Sequence, residues 1–240
     1  MRKSISILII ILCLVLPGNI YGTTLIETQI RNTYAQAIRT KSFRPLQVLY
    51  GKIYSNKKMP NRNYWLAYTR LNEATYLKVY HKNNRNFLQQ GISILQKTDG
   101  NSENLALEAL MQAMTLSNLQ GMEAGIAYKL CFNNANRAIS QNKNNVRAWY
   151  VMGTIDYYTP LMMGGQKKCE YDLKKAISLR QNKNANPWLP RWGKLEAYQL
   201  LITFYLSKGK KAEARKTCLQ GLRVFPHSKE LQVLGKKSGI

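Results

Sequence analysis

Residues 194–226 read KLEAYQLLITFYLSKGKKAEARKTCLQGLRVFP, and this stretch decides the fold that the sequence predicts. Its first half places apolar residues three or four apart, which is the spacing of one face of an α-helix. Gly209 then permits a turn, and small residues follow at helical spacing in a second segment that ends before Pro226. The stretch therefore predicts two packed antiparallel helices, which form one helical hairpin.

The spacing within this hairpin matches a repeat of 34 residues. The matching positions are Tyr198, Leu201, Tyr205, Gly209, Ala214, Leu222 and Pro226. Together they are typical of a tetratricopeptide repeat (TPR), whose hairpins stack into a solenoid. Because the sequence lacks the alternation of polar and apolar residues that marks strands, we predict an all-α, TPR-like helical-hairpin solenoid.

The same repeat spacing can be followed through the rest of the chain. We expect about five helix pairs plus a C-terminal cap, with the clearest repeats at residues 103–141, 145–181 and 194–226. Apolar stripes without the full spacing predict earlier helices as degenerate or capping pairs, at residues 24–39, 43–56, 61–81 and 85–98.

The middle repeat carries an insertion between its two helices. Tyr198 and Ala214 are 16 residues apart in the last repeat, whereas the matching Trp149 and Cys169 are 20 apart. The four extra residues fall in a segment that we call the insertion loop: Pro160, Leu161, Met162, Met163, Gly164 and Gly165. We expect Asp156, beside this loop, to accept hydrogen bonds from backbone N–H groups there.

The N-terminus has the order of a secretory signal peptide. Two basic residues precede an apolar run at residues 5–16, and a small residue, Gly22, follows it. We predict a signal peptide at residues 1–22, cleaved after Gly22, and a single domain at residues 23–240 that is periplasmic or secreted. An uncleaved membrane anchor is the alternative, but the run is shorter than the roughly 20 apolar residues that span a bilayer.

The chain is strongly basic. Its 36 Lys and Arg residues, against 12 Asp and Glu, give a formal net charge of +24. Removal of Arg2 and Lys3 with the signal peptide leaves 34 basic and 12 acidic residues, a net charge of +22. Such a surface attracts polyanions. For an exported protein these are anionic envelope components or acidic proteins, and we expect no nucleic acid. A solvated basic surface without a partner is the alternative.

The sequence contains no recognisable catalytic or metal site. Its carboxylates do not pair at a motif spacing, and no nucleophile lies beside a base in a known arrangement. Cys131, Cys169 and Cys218 occupy second-helix positions where small residues pack, so we expect buried thiols rather than disulfides. The glycine pair of the insertion loop predicts a turn rather than a phosphate site. We therefore expect neither an enzyme nor a metal or cofactor.

Three segments carry a family resemblance. They are residues 145–150 (NVRAWY), residues 158–165 (YTPLMMGG) and residues 190–193 (PRWG). In this order they resemble segments of uncharacterised exported TPR proteins of Bacteroidetes-type bacteria, and the likeness covers most of the mature chain. The chain departs from that pattern at Val146, where proline is usual, and at Gln166, where a third glycine is common. The insertion loop also resembles a loop of the T component of tripartite ATP-independent periplasmic (TRAP) transporters, an all-helical lipoprotein associated with a solute-binding partner.

The resemblance implies where a partner would bind. Ligands of TPR proteins usually touch first-helix residues on the concave side, and Tyr and Arg are favoured anchors of such contacts. The corresponding residues here are Arg147, Tyr150, Thr154, Tyr157, Tyr158, Gln199 and Thr203. Packing against the neighbouring hairpin is the alternative role for each of them. Trp188 and Trp192 are expected to pack the extra residues between the last two repeats over the side of the solenoid.

Two functional hypotheses follow from these patterns. The first is a non-catalytic envelope scaffold that docks another protein on its concave face. The second is an accessory protein of a periplasmic transport system that holds a small apolar ligand next to the flexible, apolar insertion loop.

Overall fold

The computed structural model describes residues 25–180, 186 and 188–240, which form eleven α-helices. A 3₁₀ turn at Leu116–Asn118 follows the fifth helix, and a second at Leu161–Met163 lies between the seventh and eighth. The α-helices, in chain order, are α1 (Leu25–Thr40), α2 (Arg44–Ser55), α3 (Arg62–Val79), α4 (Arg85–Leu95), α5 (Ser102–Thr115), α6 (Gly121–Gln141), α7 (Val146–Tyr158), α8 (Cys169–Ser178), α9 (Lys194–Ser207), α10 (Lys211–Val224) and α11 (Lys229–Ser238).

The helices pair as the repeat spacing predicts. Each odd-numbered helix from α1 to α9 packs against the helix that follows it, and it also contacts the next odd-numbered helix. The final helix, α11, packs on α9 and α10 and closes the stack. The prediction of five pairs with a C-terminal cap is confirmed, and the four early helices lie within a few residues of their predicted positions. The predicted signal peptide lies outside the described residues.

None of the helices within the described ranges is long and apolar enough to cross a membrane. The first helices of the second and third hairpins, α3 and α5, are buried over most of their length. Other helices pack on both sides of them, and their inward-facing side is also covered. The main cluster of buried apolar residues runs from α1 to α11, and two smaller clusters lie beside it.

Small residues let the paired helices approach closely. Cys131, Cys169 and Cys218 are fully buried free thiols on the second helices α6, α8 and α10, as their repeat positions predict. Gly153 of α7 faces Leu173 of α8, and a methyl group built on this glycine would lie 2.7 Å from Leu173 Cγ. This distance is shorter than van der Waals contact, so the glycine sets the separation of the two helices.

We expect Gly153→Ala to destabilise the protein by about 1–3 kcal/mol, because the added methyl group overpacks the contact with Leu173. The matched control is Gly125→Ala in α6, where an added methyl group meets nothing within 4 Å. This control should stabilise the protein by about 0.5–1 kcal/mol through helix propensity. Urea denaturation of the two variants measures both effects, and equal shifts in the same direction would contradict the close approach of α7 and α8.

Candidate functional site

The inner face of the solenoid holds a buried ion pair at the start of α7. The guanidinium of Arg147 donates to both carboxylate oxygens of Glu103 on α5, and the Nη2–Oε1 distance is 2.7 Å. Its Nη1 also donates to the carbonyl oxygen of Trp192, at 3.2 Å. Only 8% of Arg147 is exposed to solvent. This arginine therefore joins α5, α7 and the segment before α9.

Trp192 fills the space between the inner faces of α3 and α7. Its ring stacks on Tyr68 with 5.9 Å between centroids and meets the edge of Tyr150 at 6.1 Å. Its indole N–H donates to the hydroxyl of Tyr64, at 2.7 Å. Burial raises the pKa of both Tyr64 and Tyr68, so their hydroxyls stay neutral at any physiological pH. Trp192 thus lies within the inner face, whereas the sequence predicted that it packs over the side of the solenoid.

The first helix closes the other side of this space. Arg31 of α1 contacts Glu27 at 3.5 Å and Glu196 of α9 at 3.3 Å. Glu27 also accepts a hydrogen bond of 2.7 Å from the backbone N–H of Arg191, and Glu196 accepts one of 2.7 Å from Gly193. Burial raises the pKa of Glu27, and the Arg31 guanidinium opposes this shift. The two carboxylates thus hold both α1 and the segment at residues 190–193 in place.

Because the inner face is covered, most of the predicted docking residues are less exposed than we expected. Five of them are buried: Arg147, Tyr150, Thr154, Tyr157 and Gln199. Tyr158 and Thr203 are partly exposed. Trp192 covers Arg147 and Tyr150, so the five positions are packed rather than open, and their role in binding a partner stays a prediction.

The insertion loop forms a turn whose apolar side chains face solvent. Its two ends meet through hydrogen bonds from Gly165 N to Pro160 O at 3.1 Å and from Gln166 N to Asp156 O at 2.9 Å. A Cβ on Gly165 would lie 2.0 Å from Thr159 O, so only glycine fits there. Asp156 does accept hydrogen bonds from backbone N–H groups, but at the start of α8 rather than within the insertion loop: its Oδ2 accepts from Lys168 N at 2.9 Å and from Cys169 N at 2.7 Å.

A second carboxylate near this loop, that of Asp172, has a raised pKa. Asp172 of α8 is buried, and its Oδ2 finds no hydrogen-bond partner within the described part of the chain. Burial, and then the nearby carboxylate of Asp156, raise the pKa of Asp172 to about 7. The group therefore changes charge near neutral pH.

The raised pKa of Asp172 makes the free energy of unfolding depend on pH. Between pH of about 4 and 7 the folded protein holds a proton at Asp172 that the unfolded chain has released, so stability falls as pH rises through this window. We expect Asp172→Asn to be more stable than the parent by about 1–2 kcal/mol at pH 8 and to lose this advantage near pH 4. Denaturation curves at both pH values test this, with the exposed Glu213→Gln as control. A pH-independent difference would contradict the assignment.

The accessible surface contains a groove, lined by both polar and apolar side chains, that the sequence patterns did not indicate. It has a volume of about 540 Å³ and lies between α1 and α2. A second depression of about 650 Å³ continues it along the outer face of α1. Both are lined by Gln29, Thr33 and Gln36 of α1, and the α2 side of the groove adds Arg44 and Lys52. Exposed polar residues on a first helix give no periodic signal, which is why the sequence did not indicate this site.

The described residues contain no group of three or more His, Cys, Asp or Glu side chains that could hold a metal ion. Most of the buried carboxylates have structural partners instead. Glu73 pairs with Arg70 at 2.6 Å, and Glu108 accepts hydrogen bonds from Gln96 at 3.2 Å and from Gln112 at 2.9 Å. These contacts place the carboxylates in helix packing rather than in a cleft.

Comparison with known proteins identifies the fold. No protein-family model matches the chain, and no curated protein matches it either. Among solved structures, it is similar to a thermophilic TPR protein of Thermus thermophilus, with a TM-score of 0.60 and 19% identity over 89% of this chain and 98% of that one. It is also similar to the HusA haemophore from Porphyromonas gingivalis, with a TM-score of 0.53 and 19% identity over 80% of this chain and 96% of that one. The predicted TPR-like helical solenoid is confirmed.

Proposed function

We propose that the chain is a non-catalytic docking scaffold that acts in the periplasm or outside the cell and binds another envelope or secreted protein. The observation that carries this proposal is a TPR-like solenoid with an open groove along its first hairpin. Stacked hairpins present extended surfaces for partner proteins. The apolar N-terminal segment supports export, and the intact mass of protein recovered from an envelope fraction tests cleavage after Gly22.

The groove between α1 and α2 suits an extended acidic segment. Gln29 and Gln36 offer side-chain amides that can pair with the backbone of a bound strand of protein. Arg44 and Lys52 supply positive charge on the opposite wall. The inner face is a weaker candidate, because Arg147 and Tyr150 are already occupied by Glu103 and Trp192.

The proposal is tested by capture of a partner from an envelope extract with tagged protein covering residues 23–240. We expect one partner retained at about 0.1 M salt and also at about 0.5 M, where screening is stronger. The double variant Gln29→Glu and Gln36→Glu should lose it, because the new charges repel an acidic segment. The matched control, Gln220→Glu and Gln232→Glu, adds the same charge on exposed sites of α10 and α11 and should retain it. Loss in both variants, or in neither, would contradict docking in the groove.

A second candidate function is the carriage of a small apolar ligand in a transport system. Two observations favour it, namely the exposed side chains of the insertion loop and the similarity to a structure described as a haemophore. A porphyrin titration followed by tryptophan fluorescence tests this candidate. Saturable quenching that Met162→Ser weakens would support it, and an unsaturable signal would exclude it.

A further inference from the structure

We propose that the insertion loop is a membrane-contact element that enters the interfacial layer of an anionic lipid bilayer. Its three central side chains are more exposed than apolar residues usually are: Leu161 is 64% exposed, Met162 94% and Met163 66%. They are consecutive and form the tip of a 3₁₀ turn. An apolar tip of this kind gains free energy when it leaves water for the region of the lipid headgroups and upper acyl chains.

The backbone of the tip is suited to such an environment. Met163 N donates to Pro160 O and Gly164 N to Leu161 O, each at 2.9 Å, and Gly165 N donates to Pro160 O at 3.1 Å. These N–H groups therefore need no water, and entry into a less polar layer leaves them satisfied. The capping of Lys168 N and Cys169 N by Asp156 fixes the loop to the start of α8.

Positive charge adjoins the apolar tip. Lys167 and Lys168 follow the loop after one residue, Gln166, and are exposed. The turn between α9 and α10 lies next to the start of α8, because Tyr205 Oη donates to Glu170 Oε1 at 2.9 Å, and it adds the exposed Lys208 and Lys211. Three carboxylates lie near these lysines, those of Asp156, Glu170 and Asp172. Glu170 is matched by Lys174 at 2.7 Å and Lys210 at 3.6 Å, and lysines remain in excess. The surroundings of the tip therefore attract anionic headgroups.

Further apolar side chains lie at the same edge of the solenoid. Since α6 runs antiparallel to its neighbours α5 and α7, its first turns lie at the edge where α7 ends and the insertion loop begins. Met122 is 81% exposed there, and Ile126 is 56% exposed. Peripheral membrane proteins commonly combine such apolar contacts with nearby lysines, because either kind of contact alone binds a membrane only weakly.

A lipid surface fits these features better than a protein partner does. A stable protein interface takes about 20–30 residues from each side and excludes charge from its centre. The insertion loop instead offers three apolar side chains with lysines immediately beside them. That pattern matches the boundary between acyl chains and anionic headgroups. The inference is independent of the groove between α1 and α2.

The test is co-sedimentation of the protein covering residues 23–240 with vesicles of phosphatidylcholine, alone or mixed with phosphatidylglycerol. We expect binding to the anionic vesicles, which falls at high salt, and little binding to pure phosphatidylcholine. The double variant Met162→Asp and Met163→Asp should bind at least about tenfold more weakly. The control Val233→Asp changes a half-exposed apolar residue of α11 and should bind as the parent does. In Met162→Trp, the fluorescence of the new tryptophan should shift to the blue on binding.

A second pair of variants separates a local site from general attraction. Lys167→Gln with Lys168→Gln should weaken vesicle binding roughly tenfold, whereas Lys236→Gln with Lys237→Gln removes the same charge from the end of α11 and should have little effect. Equal losses in the two pairs would overturn the proposal in favour of net charge alone. Absence of vesicle binding by the parent, or a captured protein that the Met162→Asp and Met163→Asp variant loses without lipid, would also overturn it.

Discussion

Replacing Arg31 by methionine is expected to destabilise the protein by about 3–5 kcal/mol, because it removes the guanidinium that lies between two buried carboxylates. Glu27 is fully buried and Glu196 is 6% exposed. Methionine keeps much of the volume of the arginine stem, so the loss reports on charge more than on packing. The measurement is the free energy of unfolding from urea denaturation.

The loss in the free energy of unfolding caused by Arg31→Met should grow as pH rises. Burial raises the pKa of Glu27, and the loss of Arg31 removes the largest of the interactions that oppose that shift, although the hydrogen bond from Arg191 N remains. The folded variant then holds a proton that the unfolded chain releases above a pH of about 4.5, so its stability falls as pH rises. We expect a larger deficit at pH 8 than at pH 5, and partial recovery when Glu27→Gln is added. The control is Arg39→Met at an exposed site of the same helix. A deficit like that of the control would contradict the role of Arg31.

The fold was predictable because the residues that specify each hairpin lie close together in the sequence. The positions from Tyr198 to Pro226 specify a hairpin through contacts between residues less than one repeat apart, and the same spacing recurs upstream. The insertion loop was predictable for the same reason, and Asp156 does accept backbone hydrogen bonds within 13 residues of itself, although at the start of α8 rather than in the loop. The fully buried Cys131, Cys169 and Cys218 follow from the small-residue positions of that spacing.

Whether the inner face is open or covered was not predictable from the repeat spacing. Helical spacing predicts that Arg147 and Tyr150 point towards the concave side, but it does not show what lies opposite them. The contacts that cover this face join parts of the chain far apart in sequence, as in the bond from Arg191 to Glu27 across 164 residues. The binding role of these residues stays a prediction, and only Tyr158 and Thr203 are partly accessible without a rearrangement.

Trp192→Ala is expected to destabilise the protein by about 3–5 kcal/mol, since it removes a large buried side chain and leaves a cavity between α3 and α7. It also takes the indole N–H from the buried hydroxyl of Tyr64, whose exposed fraction is 3%. Trp192→Phe keeps an aromatic ring against Tyr68 and should cost less, about 1–2 kcal/mol. The control Trp149→Ala deletes a partly exposed tryptophan and should also cost less than Trp192→Ala.

Hydrogen exchange distinguishes the closure of the inner face from simple loss of core volume. If Trp192 holds the segment at residues 190–193 against α1, its removal should free the contacts of Arg191 and Glu196 with that helix. The amides of α1 should then exchange faster in Trp192→Ala, while those of α10 keep their protection because they pack on the far side of α9 and against α11. A uniform rise across all helices would mean that Trp192 supports the core as a whole rather than closing the inner face. An unchanged α1 would mean that Trp192 does not hold that helix, which keeps its packing on α2 and α3 and the pair of Arg31 with Glu196. The variant Arg31→Met would then be the one expected to open the concave side to a partner.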